Sequence, residues 1–488
     1  MKKLLKIVQV ASEVAPFSKT GGLADVSRSL SKALRRLGHK VIVITPLYGR
    51  SIDKEEHHLE LIFSDIVLRL NSQEKIKVNY WRGYLMDGLP VYFVECPKYF
   101  SKHTRLYGSD QENARFLVFN VAVLKLLSLL KFSADIIQCH DWQTGLIPYY
   151  LKTEFRYSQT LIKTKTIFTI HNLIFQLGHN WWGILPEHKD YGRSRLPHLA
   201  DPALENINFA KRAILSADFI NTVSEQYREE IMTKRFGQDL NRILQNRADR
   251  LVGIVNGIDY NTYNPAQDTA LAKNYSFSNS EVKSENKIKL QQTFGLPVIK
   301  DMPIFCTTSR VTFQKGFELL IKLFPELIKL EAQFIIIGAG DKKYIGELQK
   351  LARKNPEKLV IVPSHEANQL YETLVYAGAD FFLLPSNYEP CGINQLIAMR
   401  YGCVPIVRAI GGLYDTVEDF SAVARRGTGF TFENDNEFDL HGAIIRALEH
   451  YKNKRVWRPL VKRAMRQSNG WEIPAKKYVE LYYKALKN

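Results

Sequence analysis

Cysteine is scarce in this chain of 488 residues. The five present, Cys96, Cys139, Cys306, Cys391 and Cys403, are scattered, without a CxxC pair or a His-Cys cluster at zinc spacing. That excludes a disulfide framework and a structural metal, and it predicts a reducing, cytoplasmic setting. Long apolar runs are lacking too. Nowhere do about 18 uncharged apolar residues run together, so no transmembrane helix and no membrane partner are predicted. Met1 to Val10 could be mistaken for a signal peptide, yet Lys6 and Gln9 interrupt the run, Glu13 follows, and no small-residue cleavage site is evident. A buried first strand is the better reading. Acidic residues are in deficit, 50 against 67 lysines and arginines, for a formal charge of +17. Over half of that excess lies beyond Tyr451, where eleven basic residues face two glutamates. Such charge bears on partners and not on fold. No nucleic-acid recognition motif accompanies it, and helix-spaced lysines read as a solvated face, so no nucleic-acid partner is expected.

What is there is an ordinary globular composition, 45% apolar and 24% charged, with length for two large α/β domains. Short β-rich runs alternate with helical patterns, the signature of βα units and parallel sheets. Leu4 to Val10 reads as a strand, Asp25 to Leu37 as an amphipathic helix and Lys40 to Thr45 as a second strand. Further strands are predicted at Asp135 to Cys139, Thr166 to Ile170, Phe219 to Val223 and Leu251 to Val255. The polar stretch Ala266 to Lys289 reads as linker, and a second strand set follows at Pro303 to Thr308, Phe334 to Ile337, Leu359 to Val362, Asp380 to Leu384 and Val404 to Arg408. The predicted architecture is two Rossmann-like domains with a cleft between them: residues 1–264, a hinge region at 265–297, a second domain at 298–470, and a last helix at 471–488 that crosses back to the first domain. Ligands gather at the carboxyl ends of such strands.

Three segments at those ends carry candidate chemistry. Lys19-Thr20-Gly21-Gly22-Leu23-Ala24-Asp25-Val26 places bare backbone amides and a lysine at a helix start, a site suited to phosphate. It fits neither GxGxxG nor GxxxxGK[ST], so neither a dinucleotide fold nor a triphosphate P-loop is supported, and a plain Gly-Gly turn is the competing reading. Arg310 and Lys315 sit in the loop after a strand and could clamp a diphosphate as charge builds on it, although two surface cations are ordinary. Glu389, in Pro385 to Gln395, precedes a predicted helix, where a carboxylate is more often a capping charge. Asp435-Asn436-Glu437 is superficially like an acidic metal motif but reads as a surface turn, and His140 and His171 have no i, i+4 partner for zinc.

In their order and spacing these segments resemble the bacterial glycogen synthases and plant starch synthases along nearly the whole chain. Lys19 to Val26 is similar to the family's amino-terminal signature; His140-Asp141-Trp142, His171-Asn172, Thr222-Val223-Ser224 and Asn256-Gly257-Ile258-Asp259 are similar to its other first-domain landmarks. Arg310 to Gly316, Gly338-Ala339-Gly340-Asp341, Ala377-Gly378-Ala379-Asp380, Glu389 to Gln395 and Gly411-Gly412-Leu413 match those of the second. The resemblance implies an α/β GT-B fold, with two Rossmann-like domains whose parallel sheets face each other across a cleft. It also implies a retaining, metal-free transfer of glucose from ADP-glucose to an α-1,4-glucan, with no cofactor. Arg310 and Lys315 would neutralise the leaving diphosphate, and Lys19, Gly21 and Gly22 would reach it or the transferred glucose. Glu389 would grip the glucose or stabilise its oxocarbenium-like centre, with Cys391, Gly392 and Ile393 also on the donor. His140 would lie beside the transferred sugar, and Asp25 and Asn172 would serve the acceptor. Closure of the cleft would exclude water.

Departures from the family pattern lie around the donor. Ahead of Arg115-Phe116 an Asp-Asn pair is usual, whereas this chain reads Asp110-Gln111-Glu112-Asn113: either Asp110 substitutes by a shift, or the carboxylate is lost. Ala367 and Thr373 stand where a base-stacking Tyr and a His are common, leaving His365 as a substitute, and Asn387 replaces an Arg. The alternatives to set against an active ADP-glucose enzyme are a catalytically weak glucan-binding homologue, the same reaction with UDP-glucose, and a transferase acting on sucrose or a cell-surface sugar.

Overall fold

A computed structural model of the chain describes residues 3–70, 74–85, 87–101, 105–176 and 181–488. They form two compact units: residues 1–256 with 471–488, and residues 257–470.

The first unit is built on a nine-stranded sheet. In chain order its strands are β1 (Lys6–Val10), β2 (Lys40–Pro46), β3 (Glu60–Arg69), β4 (Lys75–Tyr84), β5 (Pro90–Glu95), β6 (Ile136–His140), β7 (Lys165–Ile170), β8 (Phe219–Thr222) and β9 (Leu251–Gly253). They lie in the order β3-β4-β5-β2-β1-β6-β7-β8-β9. β3 to β5 are joined antiparallel; every other pairing is parallel. Ile7, Val8, Ile136, Ile137 and Ile167 are fully buried, as expected of parallel strands covered on both faces.

The helix Gly22–Arg36 follows β1 and buries Leu23, Val26, Leu30, Ala33 and Leu34, a helical stripe. It stops because Gly38, at φ +92, donates its amide to the Arg35 carbonyl at 2.8 Å; a glycine in that left-handed conformation closes a helix without a Cβ clash.

The buried face of this sheet is not wholly apolar. Gln9, Gln138, Thr169 and Asn221, from β1, β6, β7 and β8, form a hydrogen-bonded seam. The carboxyl-terminal helix Glu472–Lys487 lays Tyr478 and Tyr482 on it: Asn221 Nδ2 donates to Tyr478 Oη at 3.1 Å, and Gln9 Nε2 to Tyr482 Oη at 3.3 Å. Polar atoms buried this deep must be partnered, so the seam ties the last helix to the sheet more specifically than apolar packing would.

The second unit carries a parallel six-stranded sheet of β10 (Ile304–Thr308), β11 (Gln333–Ile337), β12 (Leu359–Val362), β13 (Phe381–Leu384), β14 (Val404–Arg408) and β15 (Phe430–Phe432), in the order β12-β11-β10-β13-β14-β15. Residues 265–297, expected as linker, lie within this unit, and they contain the helix Lys283–Thr293. It escaped the apolar pattern because its buried positions include Lys283, Asn286, Lys287 and Gln291. Lys283 Nζ donates to the carbonyls of Tyr376 and Ala377, and Lys287 pairs with Asp380 at 2.6 Å. The units divide at Asn256/Gly257 rather than near Asn264: Tyr260 is bonded to Asn469 and Gln467, and Asp268 to Tyr401, all in the second unit. No described helix is long and apolar enough to cross a membrane.

Candidate active site

Because β10 and β13 are parallel neighbours, their carboxyl ends deliver the loops 309–316 and 385–393 to one place. Gly316 makes the contact possible. Its φ is +75, and a Cβ there would stand 1.8 Å from the Pro385 carbonyl oxygen, so only glycine fits. Gly412 does the same on the other side, where a Cβ would meet the Cys391 carbonyl at 2.0 Å; its amide instead donates to the Glu389 carbonyl at 2.9 Å.

Between these fixed points Lys315 Nζ lies 2.5 Å from Glu389 Oε2, which also accepts from Ser386 Oγ at 3.2 Å. Lys315 and Glu389 are thus ion-paired neighbours. Arg310 is exposed and reaches Gln314 Oε1 at 3.4 Å. Cys391 is buried, while Gly392 and Ile393 are half-buried just before the helix Asn394–Arg400. Asn387 is tied to Phe313, its Nδ2 donating to the carbonyl at 2.8 Å. Ala367 is half-buried in the first turn of the helix His365–Gly378, its amide held by Ser364 Oγ, and it offers a methyl where a ring could stack; His365 is exposed.

In the first unit, adjacent β1, β6 and β7 direct a second group to their carboxyl ends. Lys19 Nζ pairs with Asp25 Oδ2 at 2.8 Å, both side chains partly exposed. Gly21 and Gly22 are exposed, and a Cβ built on Gly21 would meet nothing within 4 Å. The loop is held from below by Glu13, whose Oε2 accepts from Thr20 N at 2.6 Å and Thr20 Oγ1 at 2.9 Å. Burial pushes the Glu13 carboxyl up to about 7 against the effect of those bonds.

After β6, Asp141 adopts φ 60 and ψ 175, a conformation rare for any residue but glycine and a mark of functional sites. Its Oδ1 accepts from His171 N at 2.8 Å and Gln176 Nε2 at 2.7 Å, and burial again pushes the carboxyl up to about 7. Asn172 is half-buried, and its Oδ1 accepts from Ile174 N at 3.3 Å.

The histidines differ from expectation. His140 is wholly buried, with Nδ1 2.9 Å from His171 Nε2 and Nε2 2.7 Å from Gln9 Oε1. Both ring nitrogens are engaged, so a role touching sugar does not suit it. His171 is half-buried at the strand end. Burial holds His140 well below its ordinary range, with a further push from His171, and takes His171 down to about 3; both rings are neutral at working pH.

Glu13 and Asp141 are not among the residues to which the sequence assigns a role, and His171 enters there only as part of a landmark and as a rejected zinc ligand, although each follows a predicted strand directly or within three residues. Of the open questions, the carboxylate near Arg115 is supplied by Glu112, whose Oε1 takes the buried guanidinium. Asp435 pairs with Arg408 at 3.5 Å and Asn436 caps the helix Glu437–Lys452, so the acidic triplet is structural. Among the described residues no group of three or more His, Cys, Asp or Glu is placed to hold a metal ion.

Two α/β units, each with a site at the carboxyl ends of its parallel strands, describe a GT-B glycosyltransferase, and comparison with known proteins agrees. Residues 6–246 match the starch synthase catalytic domain family and residues 290–462 the glycosyl transferases group 1 family. The sequence is 39% identical to the glycogen synthase of Anoxybacillus flavithermus over 98% of this chain and 97% of that one. The catalytic domain of Arabidopsis thaliana starch synthase IV, solved with ADP and acarbose, superposes with a TM-score of 0.87 at 30% identity, covering 100% of both chains. A sucrose-phosphate synthase from Thermosynechococcus elongatus, at TM-score 0.60, 16% identity and 99% coverage of both chains, shares the fold alone. The chain belongs to the glycogen synthase and starch synthase family of glucan-elongating glucosyltransferases.

Proposed function

We propose that the chain transfers glucose from ADP-glucose to the non-reducing end of an α-1,4-glucan, with retention at the anomeric carbon and without a metal ion. The observation that carries this reading is the Lys315–Glu389 pair, locked between Gly316 and Gly412 with Arg310 in the same loop. As the glucosyl–phosphate bond breaks, negative charge grows on the diphosphate and positive charge on the sugar, and a fixed cation beside a fixed carboxylate can stabilise both. Lys315 and Arg310 take the diphosphate, and Glu389 takes the glucose, with the backbone at Cys391, Gly392 and Ile393 in support. The solved starch synthase IV holds ADP, which favours ADP-glucose as donor.

In the first unit Lys19 and the Gly21-Gly22 amides add positive potential for the anionic donor. Asp25 and Asn172 serve the acceptor, and sugar contact passes from His140 to His171, the half-buried member of the pair. Retention is assigned to a front-face reaction in which the leaving phosphate takes the acceptor proton, and Glu389 is not assigned as a nucleophile. The cytoplasm is the proposed compartment, consistent with five free, buried cysteines.

Ala367 in place of a stacking ring leaves UDP-glucose as the second donor to test. Purified protein is assayed with each donor and glycogen, and the new linkages are read by α-1,4-specific amylolysis. ADP-glucose should give the higher kcat/KM. No incorporation from either donor would refute the reading and leave a glucan-binding homologue.

A further inference from the structure

The histidine pair carries more than burial. Gln9 Nε2 donates to Gln138 Oε1 at 3.1 Å and to Tyr482 Oη at 3.3 Å, which fixes the orientation of its amide. Gln138 is itself held, because its Nε2 donates to Thr169 Oγ1 at 2.8 Å and its Oε1 accepts from Tyr482. Gln9 Oε1 therefore faces His140 Nε2 at 2.7 Å as an acceptor, and that nitrogen must bear the proton. In a neutral imidazole the other nitrogen is then a lone pair. His140 Nδ1 consequently accepts from His171 Nε2 at 2.9 Å, and the His171 proton sits on Nε2. His171 Nδ1 is left as the acceptor.

We propose that Gln9 is a positioning residue that sets the tautomer of His171 through His140, so that His171 presents a bare Nδ1 to a hydroxyl of the glucan or the transferred glucose. The proposal rests on the reading above in one respect, that His171 meets sugar. A sugar hydroxyl can donate to a bare Nδ1 but not to a protonated one, so the choice of tautomer selects which hydroxyl geometry is held. The device reaches from the last helix of the chain, through Tyr482 and the strand residues Gln9 and Gln138, to the strand end where His171 begins its loop. The neutral state of both rings, driven by burial, keeps the logic intact across the working pH range.

The test reads the tautomer directly. Protein labelled with ¹⁵N-histidine carries 12 histidines, and the His171 signals are assigned by their loss in His171→Asn. In the wild-type protein Nδ1 should show the signature of a bare ring nitrogen and Nε2 that of a protonated one; the reverse pattern overturns the proposal without any further variant. Gln9→Met, similar in volume but without an acceptor, should scramble the His171 tautomers and lower kcat by about tenfold, the loss of one hydrogen bond's worth of orientation. Gln9→Glu, which when protonated keeps a carbonyl for His140 and an O–H for Gln138, should restore the wild-type pattern and most of the rate. A Gln9→Met protein with an unchanged His171 tautomer refutes the relay. If instead the relay holds and His171→Ala transfers glucose at the wild-type rate, the assignment of His171 to sugar fails and the relay stands.

Discussion

Glu389→Gln should separate donor binding from transfer. In the free protein the Lys315 charge is taken up by Glu389 at 2.5 Å, with the two side chains 16% and 6% exposed. At that separation, and with an effective dielectric of about 20, the Coulomb attraction is on the order of 7 kcal/mol. Lost hydration and side-chain entropy offset most of it, leaving about 1 kcal/mol for a pair that water still reaches. A diphosphate that recruits Lys315 must displace this pairing. Replacing the carboxylate by an amide of the same shape should therefore tighten ADP binding by about fivefold, measured by titration calorimetry. The same change should lower kcat by about 10²–10³, because a group aimed at the transition-state charge is gone. Tighter product-like binding with slower transfer is the signature sought. Unchanged or weaker ADP binding would show that Lys315 is not a diphosphate ligand, and an unchanged kcat would remove Glu389 from the catalytic centre.

Gly21→Ala should fold normally, since its Cβ meets nothing within 4 Å; a Tm within about 2 °C of wild type, alongside a kcat loss of tenfold or more, would show that a substrate approaches that backbone. Transfer should persist in EDTA with added Mg²⁺ giving no gain, because Arg310 and Lys315 supply the charge a metal would; abolition by EDTA and recovery with Mg²⁺ or Mn²⁺ would contradict this. Arg212→Met should strand Asp190, which Arg212 meets through two 2.9 Å bonds with both side chains wholly buried. The expected cost is about 3–5 kcal/mol, read as a drop in Tm of roughly 10 °C.

How much of this was legible in the sequence depended on where the information lay. Ile7, Val8 and Val10 announce a buried strand by composition alone, and so do the other parallel strands predicted in both sheets; β5, although mostly buried between β4 and β2, and the short β15 are not among them. β3 and β4 are not among the predicted strands: many of their positions are exposed or half-exposed, and the signal in β4 is an alternation, Ile76, Val78 and Tyr80 against Lys75, Lys77 and Asn79, rather than the apolar runs of the buried parallel strands. The helix Lys283–Thr293 is missed for the opposite reason: its buried face is written in lysine and amide residues, and the partners of the lysines, Tyr376, Ala377 and Asp380, lie far along the chain. At the site, Arg310, Lys315 and Glu389 could be found because each follows a strand, yet the contact of Lys315 with Glu389 depends on Gly316 meeting Pro385. The choice between His140 and His171 could not be read locally at all. What separates the two rings is that Gln9, 131 residues from His140, takes one of the His140 ring nitrogens.

At Glu13 function and stability pull in opposite directions. Its carboxyl is 3% exposed, faced by Lys19 and Asp25 from its own loop and helix, by Tyr48 and Tyr107, and by Asp141 across the strand ends. Burial raises it to about 7 from an ordinary value of 4.5. A folded protein that binds this proton more tightly than the unfolded chain is at its most stable below the unfolded value, and it loses stability as pH rises through about 7. The shift corresponds to a loss on the order of 3 kcal/mol, and because the Glu13 charge also raises Asp141, the two carboxyls titrate as one coupled pair. Glu13→Gln mimics the protonated form. At pH 5 its Tm should match wild type, and at pH 8.5 it should exceed wild type by several degrees. An equal difference at both values would show that Glu13 does not titrate in this range. If the difference appears only at high pH, the chain keeps a carboxylate that weakens its fold beneath the Lys19 loop, and the hydrogen bonds from Thr20 give the reason: ionised Glu13 is the stronger acceptor, and it holds that loop firmest in the state that costs the fold most.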